Sequence, residues 1–200
     1  MSTAAPSRDF VAPRPKRFSR ADYYRLAELG AFEGQRVQLL RGELIEIPPM
    51  HEPHALCIMR LSYWAMASLR PEFEVRIQMP FDADGDSVPE PDVVVCGSAD
   101  LSASAPPGRA DLIIEVAGTS LRLDRQKAEE YAGRCTEYWI VNLQRREIEV
   151  YRLPGADATS VSGRRFSETR SFSAAESIAS LCRPAATVAV RDLLPPGGAA

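Results

Sequence analysis

Apolar and polar positions along this chain follow two rhythms, and the switch between them marks its elements. From His54 to Leu69 the apolar residues Ile58, Leu61, Ala65 and Leu69 recur at helical spacing, and Pro71 ends the run. Ser19, followed by Arg-Ala-Asp-Tyr-Tyr-Arg-Leu-Ala-Glu-Leu, predicts a shorter capped helix that stops at Gly30. Leu121 to Arg134 predicts a third helix. Two short runs, Val37 to Leu40 and Glu43 to Ile47, flank Arg41-Gly42 and predict a β-hairpin. Strands are also expected over Phe73 to Phe81, Asp92 to Cys96 and Asp111 to Ala117. A second hairpin, Tyr138 to Asn142 and Ile148 to Arg152, turns around Gln144-Arg145-Arg146.

The order is a β-hairpin, then helix, three strands, helix, strand, with further strands after. That is a mixed α/β (α+β) pattern around one sheet. Residues 1–17 hold three prolines and several charges and predict a flexible arm. Residues 18–153 carry the periodic elements. Residues 154–200 are rich in Ser, Ala and Pro, with short strand-like pieces near Phe166 to Phe172 and Thr187 to Val190. They predict an extension packed on the edge of the same domain.

Composition narrows the classes. Of 200 residues, 45% are hydrophobic and 26% charged, which is ordinary for a globular chain. No run nears the ~18 apolar residues of a membrane span. The N-terminus is polar, without an apolar signal core, so a cytoplasmic protein is expected. Four cysteines lie far apart with no C-x-x-C pair, and only two histidines are present, so a zinc site is not indicated. Three of those cysteines fall in apolar runs, as small core residues do in a reducing compartment. The net charge of −3 counts against a general nucleic-acid binder but leaves room for a local basic rim.

Candidate chemistry sits on two apolar strands. Period two puts Asp92 on one face with Val94 and Cys96, and Glu115 on one face with Ile113 and Ala117. Both strands are apolar on both faces, the mark of a covered central sheet. A carboxylate there needs a cation, a donor network or a metal. Two readings stay open at this point: strand-end acids that reach solvent or arginine, or a pair that holds a hard cation such as Mg²⁺. On the next helix Asp124, Lys127 and Tyr131 share one side, beside Leu121, Ala128 and Ala132. Lys127 either leans over the sheet or pairs with Asp124 or Glu130 in solvent. The run Asp82, Asp84, Asp86 lacks the glycine and the terminal acid of a calcium loop and reads as a polar turn. Arg122, Arg125, Arg134, Arg145, Arg146, Arg164 and Arg165 read either as solvated surface or as a phosphate-facing rim.

The ordered set resembles a known family. Pro91-Asp92, then Glu115-Val116-Ala117-Gly118-Thr119-Ser120-Leu121, then Asp124-Arg125-Gln126-Lys127 through Tyr131, and Glu137-Tyr138-Trp139-Ile140-Val141-Asn142 are similar to the Uma-two family. The resemblance runs from about Tyr23 to Tyr151 and takes in Arg41-Gly42-Glu43-Leu44, His54 and the closing Val190-Arg191-Asp192-Leu193-Leu194-Pro195. It implies a restriction-endonuclease-like core of the PD-(D/E)XK nuclease superfamily. It also implies Asp92 and Glu115 as metal ligands, joined by the Val116 carbonyl, with Mg²⁺, or Mn²⁺ in its place, as cofactor. The superfamily lysine two residues after the acid is Ala117 here, and the resemblance assigns its role to Lys127. His54, Glu43 and Tyr131 are candidates for a supporting shell. The implied activity is endonucleolytic hydrolysis of DNA phosphodiester bonds. The competing expectation, favoured by Ala117, is a nuclease fold without catalysis that serves as a binding module. Cleaving both strands would pair two sites by symmetry in a homodimer.

Overall fold

The computed structural model describes residues 14–83, 85–102, 104–160 and 162–197. The expected arm at residues 1–17 therefore falls mostly outside the described residues, as does Asp84 of the acidic turn. Helix α1 (Arg20–Glu28) opens on a reciprocal cap between Ser19 and Asp22. Strands β1 (Val37–Leu40) and β2 (Glu43–Glu46) form the expected hairpin. Arg41 and Gly42 both take positive φ at its turn, +51° and +76°, the twist that a two-residue connection demands. Helix α2 (Glu52–Leu69) follows.

The main sheet has six strands in chain order. They are β3 (Phe73–Ile77), β4 (Val93–Gly97), β5 (Ala110–Ala117), β6 (Cys135–Asn142), β7 (Glu147–Ala156) and β8 (Arg164–Ser173). Neighbours are antiparallel except β5 and β6, which run parallel. A parallel pair needs a crossover, and helix α3 (Leu121–Tyr131) supplies it. The short strands β9 (Ser177–Ile178) and β10 (Val188–Ala189) pair with each other, and a single turn, α4 (Val190–Leu193), closes the described chain.

Alternation sorts the sheet into two cores. Val93, Val95, Leu112, Ile114, Val116, Trp139 and Val141 pack against α2 and α4. The Trp64 ring of α2 stacks on Trp139 with centroids 5.3 Å apart. On the opposite face, Val94, Ile113, Ala117, Tyr138 and Ile140 meet Ala128, Tyr131 and Ala132 of α3 and its C-terminal turn. Among the described residues no helix is long and apolar enough to cross a membrane.

Three elements differ from the sequence expectation. The strand from Phe73 ends at Ile77 rather than Phe81, because Gln78 takes φ +49° and turns the chain out of the ladder. Helix α3 stops at Tyr131, and Cys135 already pairs with Ala110. The Ser-rich segment makes a ten-residue edge strand, β8, rather than a short piece. Only Phe166 and Phe172 of its ten residues are buried, one in each core, and the rest are exposed, which hides its length from a search for apolar runs. Cys57, Cys96 and Cys135 are buried and Cys182 is half-buried, all as free thiols.

Candidate active site

Asp92 precedes β4 by one residue. Val93 faces Ile114 across the β4–β5 ladder, so one more step of register sets Asp92 across from Glu115. Directly opposed residues of an antiparallel pair point to the same face. The two carboxylates thus share the α3 side of the sheet. Both are buried, and both line a cavity of about 600 Å³ at the end of the strands.

Each acid is held on its protein side. Asp92 Oδ2 accepts the backbone N–H of Val116 at 2.8 Å and lies 3.2 Å from His54 Nε2. Its Oδ1 is 3.3 Å from the Gln78 amide. Glu115 Oε1 accepts from Lys127 Nζ and from the Tyr131 hydroxyl, each at 2.9 Å. No donor among the described residues reaches Glu115 Oε2. Lys127 Nζ also bonds Asp124 Oδ1 at 3.2 Å, and Ser120 Oγ donates to Asp124 Oδ2 at 2.6 Å. Helical spacing explains this convergence. Asp124, Lys127 and Tyr131 stack on the face of α3 that covers β5, and the lysine stem crosses buried surface to reach the acid.

The electrostatics show a shortage of positive charge. Burial, reinforced by Asp124 and Asp92, pushes Glu115 up to about 7 against the pull of Lys127. Burial likewise raises Asp124 despite Lys127 and Ser120. Burial disfavours the Lys127 charge, but Glu115 and Asp124 outweigh it and raise its pKa, so the amine stays protonated. It is a donor and a charge, and is unsuited to act as a base at neutral pH. Burial and Glu115 also keep the Tyr131 hydroxyl protonated as a donor. Burial lowers His54, but its hydrogen bond to Asp92 and that acid's charge win and raise it.

The donor set can be tested against a divalent ion. Among the described residues no three His, Cys, Asp or Glu side chains gather in metal-binding fashion. A site of that kind would suit zinc. Mg²⁺ instead keeps several waters and takes only one or two carboxylates, and Asp92 with Glu115 meets that need. The carboxylate excess over Lys127 and the open Glu115 oxygen fit a cation in the cavity, whose lining includes Val116.

Of the residues expected from sequence, Asp92, Glu115, Val116, Lys127 and His54 line the one cavity. Tyr131 touches it through Glu115. Glu43 is not in the cluster: it sits at the turn end of the β1–β2 hairpin, exposed, and pairs with Arg17 at 3.0 Å. Asp124 was legible only as a helix-face neighbour, yet it is buried in the cluster. Gln38 and Gln78 gave no sequence signal. The arginines do not form one rim. Arg125 grips Glu149 with two bonds, Arg165 pairs with Asp157 and Glu129, and Arg146 donates to the Pro195 carbonyl.

The family described as Uma2, putative restriction endonuclease, matches residues 20–186. No curated protein matches the chain. The crystal structure of a putative nuclease belonging to DUF820 from Anabaena variabilis is similar, with a TM-score of 0.61 at 13% identity. The match covers 78% of this chain and 88% of that one, and at that identity it speaks for the fold. The expected restriction-endonuclease-like fold is therefore the observed one. The type IIG restriction endonuclease BpuSI is similar over 50% of this chain and 11% of its own, at 18% identity and a TM-score of 0.35, too distant to carry weight.

Proposed function

The chain belongs to the Uma2 family, described as putative restriction endonuclease, and from that premise we propose that it is a metal-dependent endonuclease acting on DNA phosphodiester bonds. The observation that carries this reading is the meeting of Asp92, Glu115 and the Lys127 ammonium in one recess. Asp92 and Glu115, with the Val116 carbonyl, would hold Mg²⁺ or Mn²⁺. A cation bound there supplies Lewis-acid polarisation of the phosphate and a lowered pKa for bound water.

The chain's own groups do the rest. Lys127 holds Glu115 in place and offsets negative charge as it builds on the phosphate. Tyr131 fixes the same carboxylate oxygen, which leaves the other without a donor among the described residues. The Val116 N–H and His54 orient Asp92 in the same manner. Because Lys127 comes from α3 rather than from β5, Ala117 can stand where a strand-borne lysine would otherwise project, and the amine still reaches the acid.

The test is nicking of supercoiled plasmid in Mg²⁺ or Mn²⁺. Wild type should nick, and Asp92→Asn or Glu115→Gln should abolish it while circular dichroism stays unchanged. Calorimetry should show metal binding that both variants lose. A folded wild type that neither cuts nor binds metal leaves the nuclease fold serving as a binding module.

A further inference from the structure

The cavity over the acids has a second wall that the cluster does not use. One face of the β1–β2 hairpin lines it, through the opposed pair Gln38 and Ile45, with Arg36 and Ile47 just beyond the strand ends. Pro48 and Met50 continue that wall, which is mostly apolar. Gln38 is its buried polar member, beside the exposed Arg36. The residue is only 4% exposed, and its Oε1 has no hydrogen-bond partner among the described residues. A buried carbonyl without a partner costs stability, and Gln38 lines the cavity, so a ligand donor that draws the amide toward the cavity would complete that bond.

The size and shape of the recess restrict that ligand. At about 600 Å³ it falls within the ~300–1,000 Å³ range of pockets that hold a small molecule. A base pair inside a stacked duplex cannot enter such a space. A single nucleobase can: its flat face suits the apolar wall, and its edge carries the donors and acceptors that an amide matches. The wall lies in the same cavity as Asp92 and Glu115, so a base seated there belongs to a nucleotide next to the reacting phosphate.

Building on the nuclease reading, we propose that the cavity takes one unstacked nucleobase of DNA, lying on Ile45 and Ile47 with its polar edge at Gln38. The substrate is then a single strand, or a duplex with an unpaired nucleotide at the cut, rather than undistorted duplex.

Three oligonucleotide probes of one sequence test this: a single strand, a perfect duplex, and a duplex with a one-nucleotide bulge. Wild type in Mg²⁺ should cut the first and third faster than the second by about tenfold or more, since a paired base must first be drawn out of the helix. Gln38→Leu should raise KM and flatten the preference among the four bases at the unpaired position, with metal binding unchanged. A fluorescent aminopurine placed at that position should change its emission on binding to wild type, as the base leaves its stacked neighbours, and Ile47→Ala should reduce that change. Equal rates on all three probes, with no fluorescence change, overturn the base pocket and leave the nuclease intact. A wild type inert on every probe overturns both.

Discussion

Lys127 Nζ lies 2.9 Å from Glu115 Oε1 although twelve residues separate them and Ala117 occupies the strand position nearer to hand. The ammonium is buried between two carboxylates, Glu115 and Asp124, with Asp92 close by. This one contact ties the crossover helix to the strand that carries the acid. It also decides how the recess responds to change.

Lys127→Met should therefore destabilise the metal-free protein by about 3–5 kcal/mol, the usual cost of leaving a buried ion pair half-made. Urea unfolding at neutral pH measures it. The double variant Lys127→Met/Glu115→Gln should recover part of the loss, because only Asp124 is then stranded opposite the missing amine. Independent, additive losses would show that the pair is not coupled.

Mg²⁺ should raise the melting temperature of wild type. At roughly a hundredfold excess over Kd, a ligand bound only to the folded state adds about 2.7 kcal/mol. Glu115→Gln and Asp92→Asn should show no such rise. A rise of equal size in all three proteins would place the ion elsewhere.

Glu137 is fully buried on β6 and holds the C-terminal segment. It accepts from Arg152 at 2.7 Å, from Ser180 Oγ at 2.9 Å and from the Leu181 N–H at 2.8 Å. Glu137→Leu should strand these donors and cost about 3 kcal/mol or more. Limited proteolysis should then cut first between β8 and α4, with the acid cluster left folded. Unchanged protease resistance would sink this assignment.

The thiols give a pH-dependent readout. Burial pushes Cys57 up to about 12 and Cys96 up to about 11, and raises Cys135 well above its ordinary value. A raised thiol pKa keeps the unreactive protonated form through pH 8. Folded protein should react with an aromatic disulfide reagent far more slowly at pH 8 than protein in urea, where all four thiols titrate. Raising the pH from 8 to 9 should speed the folded protein by up to about tenfold, the gain in thiolate for a pKa above 9, and the unfolded protein by only about threefold. Fast reaction of three thiols in the native state would contradict the packing.

Much of this was open to reading from the chain. Period-two alternation set Asp92 with Val94, and Glu115 with Ala117, because neighbouring side chains of a strand must leave on opposite faces. Helical spacing put Asp124, Lys127 and Tyr131 on one side of α3 for an equally local reason. Local rules failed where the chain breaks its own rhythm. The left-handed Gln78 ends β3 early, and the mostly polar β8 completes the sheet without an apolar run.

The sequence by itself determined the elements, their order, and which residues share a face. Tertiary packing alone decided that β4 lies beside β5 in the register that opposes Asp92 to Glu115, that Lys127 turns inward, and that Gln38 closes the same recess while Glu43 stays in solvent. The reason is physical. Faces follow from the dihedral period of a few residues, whereas bringing residues 38 and 92 to one cavity depends on how a hairpin settles onto a sheet built from the rest of the chain, and no local pattern encodes that.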